Sequence, residues 1–164
     1  MARQSSVPCR LFRVIELLRE SSWLYPLINI AHILGFILLA GGAMLFDLRV
    51  LGLSLSRSTS LEIRPLGLHL LPWSVAATLL VVPTGVLMFA VEAQALIGNR
   101  AFLLKVCLLS LAAGNAIAFH TGVGRDWARW LAGDRPPLAA RAHALLSIAL
   151  WIGIVSCGRM IAYV

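Results

Sequence analysis

The sequence predicts an all-α fold: an integral membrane four-helix up-down bundle preceded by a short N-terminal amphipathic helix. Three observations predict it. The chain of 164 residues is 60% hydrophobic, with a mean hydropathy of +0.88, too apolar for an ordinary soluble domain. Its apolar residues gather into four runs, each near the length of about 20 residues that a helix needs to cross roughly 30 Å of hydrocarbon. Charged residues are rare inside those runs and collect at their ends, where they meet phospholipid head groups. The net charge of +7, from 14 basic and 7 acidic residues, therefore reads as membrane anchoring. No nucleic-acid motif accompanies it.

Residues 1–23 form a lead. Residues 1–9 read as disordered. From Arg10 to Glu20, Leu11, Val14, Ile15 and Leu18 recur at helical spacing among Arg13, Glu16 and Glu20, the pattern of a helix lying on a membrane surface. Arg3, Arg10 and Arg13 resemble the start of a signal peptide, but no small-residue cleavage site follows a short apolar core. The membrane domain covers residues 24–164. Its first helix, about 24–46, has no Lys, Arg, Asp or Glu before Asp47 and is flanked by Trp23, Tyr25 and Arg49. Ala31, Gly35 and Gly42 make a small-residue stripe on it that lets a second helix approach closely.

A polar, Ser-rich loop leads to the second helix, about 65–91, where Pro72 and Pro83 predict kinks. Gly98-Asn99 breaks the chain before the third helix, about 101–120. The loop from Thr121 to Pro137 holds Trp127 and Trp130, and the fourth helix spans about 138–163. Four spans place both termini on one face of the membrane, side A, and the two longer loops on side B. Basic residues divide evenly between the sides. The arginines that precede the first span favour cytoplasmic termini in a bacterial inner membrane. Cys9, Cys107 and Cys157 make an odd count without a disulfide framework and read as free thiols.

One histidine falls in each helix: His32, His69, His120 and His143. A titratable side chain at membrane depth marks a functional site by default. At about 1.5 Å of rise per residue, His69, His120 and His143 all come close to side B, and His32 lies nearer side A. Imidazoles from two helices at one depth are what b-type haem requires. The expected axial pair is His69 with His143. His120 is the substitute ligand or, with Arg64 and Arg141, a partner for the propionates; His32 stands apart as a fourth possible metal ligand. The corresponding job is electron transfer to or from a quinone or a partner redox protein.

Two other readings stand beside it. Cys107, Cys157, Met88, Met160 and His32 offer soft ligands suited to copper. Small-residue stripes also suit a non-catalytic subunit that packs into a larger membrane complex or a homo-oligomer. Asn115 and Asn29 are expected to hydrogen-bond across the bundle, Lys105 to snorkel toward side A, and Asp47 and Arg49 to pair with Arg64 and Glu62. No nucleophile triad, phosphate loop or nicotinamide site is present.

The segments Trp23–Pro26 (WLYP), His32 with Gly35, Asp47–Gly52 (DLRVLG), Pro72-Trp73, Thr84-Gly85, Phe102 with Lys105, and Gly158–Tyr163 (GRMIAY) resemble the pattern of an uncharacterised family of small bacterial four-span membrane proteins. The resemblance covers residues 22–163 and implies the four-span plan without an activity. In architecture alone the chain is also similar to copper-resistance protein D and to four-helix b-type cytochromes. The diheme members of that group need four ligands at two depths, and the single histidine toward side A departs from them.

Overall fold

The computed structural model describes residues 16–18, 20–53, 63–126 and 136–163. Four long helices carry the fold: α1 (Leu24–Val50), α2 (Ile63–Ile97), α3 (Arg100–Thr121) and α4 (Leu138–Met160). All four are long and apolar enough to cross a membrane, with mean hydropathies of 1.8 to 2.1 over their spans. The chain is a multi-pass membrane protein built as an all-α four-helix bundle. Most of the expected lead lies outside the described residues; 16–18 and 20 are helical, and Leu18 is buried.

Local chemistry sets the helix limits. Asn99 caps α3 by accepting a hydrogen bond from the Phe102 amide at 3.0 Å, which satisfies one of the orphan donors of the first turn. Its amide also donates to the Ile161 carbonyl at 3.1 Å, tying the end of α4 to the α2–α3 turn. The kinks expected at Pro72 and Pro83 take another form. Both prolines sit inside α2, and its non-helical dihedrals fall at Glu92 (φ −113°, ψ 18°). That is where the second span was expected to stop, so the helix bends there and continues to Ile97.

The packing is inverted relative to a soluble bundle. Buried positions are mostly small or polar: Gly35, Ala40, Asp47, Ala77, Thr84, Ala140 and Ala144. Large apolar side chains such as Ile30, Ile37, Val86 and Ile117 point outward, as lipid-facing residues should. α1 packs antiparallel on α2 along a close seam. A Cβ added to Gly35 would come within 2.8 Å of Val81 Cγ2, and one added to Gly85 within 3.1 Å of His32 Cε1. On its other flank α1 meets α4, where Ala40, Trp151 and Ile154 form one cluster and Val50, Ala140 and Ala144 another. Phe36 meets Trp151 edge-on, with centroids 5.8 Å apart.

α3 packs on α4, with Leu108 against Gly153. α2 and α3 scarcely touch. Phe89 and Phe102 stack at 5.4 Å near the turn that joins them, and toward side B the two helices stand on opposite walls of a cavity. The bundle is closed at side A and splayed at side B.

The α1–α2 seam makes a direct stability prediction. Gly35→Leu forces side chains into the space held by Val81 and should cost about 1–3 kcal/mol by overpacking. Gly41→Leu has nothing within 4 Å of its added Cβ and should be near neutral. Thermal unfolding of the two variants in detergent compares them directly; equal loss in both would mean that the seam is not close-packed.

Candidate functional site

The gap between α2 and α3 is the main cavity, of about 600 Å³, within the range typical of small-molecule sites. Its walls are apolar: Leu39, Ala43, Leu71, Val75, Leu79, Ala112, Ala116 and Trp151. Polar groups gather toward side B, where Asp47, Asn115, His120, Arg125, His143 and Ser147 line it. Arg125 comes from a short 3-10 turn, Val123–Asp126, that follows α3.

His143 is held in one orientation. Asn115 Nδ2 donates to the His143 backbone carbonyl at 3.1 Å, so its Oδ1 is the end that faces the ring. His143 Nδ1 lies 2.7 Å from that oxygen and must donate to it. The neutral ring then carries its proton on Nδ1 and presents the lone pair of Nε2. Phe119 packs edge-on against the same ring at 6.0 Å. The expected cross-bundle role of Asn115 is met, with a histidine as its partner.

Asp47 is the other unusual group. It is 8% exposed, and its Oδ2 has no hydrogen-bond partner among the described residues. Ser147 lies beside the carboxylate, one helical turn from His143 on α4. Arg64 and Glu62, the partners expected for Asp47 and Arg49, fall outside the residues whose side chains are described; Arg49 Nε is likewise buried without a hydrogen bond.

α4 looks inward through His143, Ser147, Leu150 and Ile154. On α2 the histidine does not. The face of α2 that lines the chamber carries Gly67, Leu71 and Thr78, and His69 sits about 180° around the helix from Thr78. His69 is exposed and lines a separate groove with Ile37, Leu38, Leu45 and Trp73 on the outer side of the α1–α2 seam. His69 and His143, the expected axial pair, therefore line different cavities, whereas His143 and His120 line the same one. Arg141 is exposed at the start of α4.

Toward side A, His32 Nδ1 lies 2.9 Å from Thr84 Oγ1. That hydroxyl donates to the carbonyls of Leu80 and Val81 at 2.7 and 3.1 Å, so it accepts from the ring, and His32 pins α1 to α2. Lys105 reaches toward Gly158 and lies within electrostatic range of His32 and Cys157. Cys157 is buried and Cys107 is exposed on the outside of α3. Among the described residues no group of three or more His, Cys, Asp or Glu is placed to hold a metal ion.

Fold and cavity together define a class: a polytopic membrane protein with a mostly apolar chamber whose charged and imidazole groups lie at one end. Comparison with known protein families, curated proteins and solved structures gives no match.

Sequence reasoning located the histidines and missed the Asp47 oxygen. The available signal was its composition: one carboxylate at the end of an otherwise uncharged span, four residues from Leu51.

The Asn115–His143 pair predicts a single neutral tautomer. Solid-state ¹⁵N NMR of the protein in lipid should show His143 protonated on Nδ1, and Asn115→Leu should release it into a tautomer mixture. A dominant Nε2–H form in the unaltered protein would show that the pair is not made.

Proposed function

We propose that the protein binds a lipid-soluble ring ligand of the quinone type in the chamber between α2 and α3, and serves membrane electron transport. The observation that carries this reading is the splay. Two neighbouring spans held together at side A and separated toward side B leave a greasy opening at bilayer depth, with the carboxylate, imidazole and guanidinium groups at one end and only the hydroxyls of Ser74 and Thr78 further in. A soluble substrate has no use for such walls; a ring with an isoprenoid or alkyl tail does. We place the protein in a bacterial inner membrane with both termini cytoplasmic, on the strength of the arginines before α1.

A second reading is favoured by one observation. His143 and His120 line one cavity, and the Nδ1 hydrogen bond that orients His143 is of the kind that orients metal-bound imidazoles. The residues present would hold a b-type haem through His143 and His120, with Arg125 near its carboxylates. Bound there, haem would supply one-electron transfer.

Both readings are separable in one preparation. Protein expressed with ample haem, purified and placed in nanodiscs should quench its Trp151 fluorescence saturably with decylubiquinone, and Ala116→Phe should abolish that quenching by filling the chamber. Quenching that never saturates, or that survives Ala116→Phe, removes the quinone reading. A Soret band lost in His143→Ala would put haem in its place.

A further inference from the structure

We propose that the polar end of the chamber recognises the reduced, hydroxyl-bearing form of the ring, a neutral quinol or related phenol, through two acceptors: Asp47 Oδ2 and His143 Nε2. This rests on the reading of the chamber as a quinone-type site and names the form that it selects.

The argument is one of complementarity. Asp47 borders the chamber and is 8% exposed, and its Oδ2 is a buried carboxylate oxygen with no hydrogen-bond partner among the described residues. An acceptor left bare in a low-dielectric interior is costly, and a ligand donor that reaches it is favoured accordingly. His143 adds a second acceptor. Its Nδ1 proton is committed to Asn115, so the nitrogen left over is Nε2, which bears a lone pair. The two groups belong to one end of the chamber because Ser147, beside the carboxylate, is one turn along α4 from His143.

Two acceptors repel the carbonyl oxygens of an oxidised quinone and pair with hydroxyl donors of the reduced ring. An organic cation would also meet a carboxylate. Here, however, Arg125 borders the same chamber. With positive charge already at that end, a neutral donor is the better match.

The test uses the full chain in nanodiscs, titrated without oxygen against decylubiquinol and decylubiquinone. Quinol should bind at least about tenfold more tightly, the value expected of one hydrogen bond to a charged acceptor. Asp47→Asn offers an amide donor in place of an acceptor and should narrow or reverse the preference. His143→Phe should narrow it too, and keeps the question open to measurement if Asp47→Asn does not fold. Equal affinity for both forms, or tighter quinone, overturns the proposal while leaving the chamber as a quinone site. Decylammonium that binds more tightly than quinol overturns it in favour of a cation site. Binding of neither ring form overturns the broader reading as well.

Discussion

Helices immersed in lipid gain nothing by hiding leucine from leucine, so they hold together by coming close. That constraint governs this bundle through α1. The helix touches α2 along Gly35, Gly42 and the His32–Gly85 contact, and touches α4 through Ala40 and Val50. α2 and α4 are thereby placed on its two flanks, and α3 is carried by α4. No seam joins α3 to α2 beyond their shared turn. The chamber is what remains where α2 and α3 diverge and one of the four possible sides of the bundle is left open.

Polar side chains inside the spans then divide by whether they are already satisfied. His32 with Thr84, Tyr25 with Glu92 at 2.7 Å, and Asn99 with Ile161 each spend their hydrogen bonds on a neighbouring element. They act as glue at or toward side A. Asn115 with His143 is glue on one edge of the imidazole, and the other edge has no hydrogen-bond partner among the described residues. Asp47 carries a bare oxygen. The unfinished pairs are the ones that face the chamber, which is why functional weight falls on them rather than on His32, the histidine set deepest among close helix contacts.

Much of the fold could be read from the chain. Long uncharged runs, the Gly98-Asn99 break and the change at Glu92 give spans and turns, because length and charge act locally. Rotation about each helix axis is different. It depends on which face a neighbour takes, and the amphipathic signal that would report it is nearly absent when both faces are apolar. Depth put His69 level with His143. The face of α2 through Leu71 and Thr78 looks into the chamber, which leaves His69 on the outer groove. On α4 the inward face was legible because Ser147 and His143 share it with small residues. The Asp47 site was not legible, since a carboxylate next to a loop looks like an interfacial anchor until packing buries it.

The direction of the chamber's polarity gives the last constraint. Asp47 lies near the end of α1, and His120, Arg125 and His143 lie around the α3–α4 connection, all at the side B end. Leu39, Leu79, Ala112 and Trp151 line the part that lies deeper in the bilayer. This gradient runs in the same sense as that of the lipid leaflet beside it, head groups outward and chains inward. An amphiphile already resting in that leaflet meets walls and polar groups in the order of its own parts, and can slide between α2 and α3 without turning over or shedding its tail from hydrocarbon. A water-soluble ligand would instead have to enter past Arg125 and fill a mostly apolar interior that offers it only the hydroxyls of Ser74 and Thr78 below the level of Asn115 and Ser147. On the proposed reading, the splay of two helices and the placing of charged and imidazole groups at one end favour a membrane-resident ligand before any individual contact is considered.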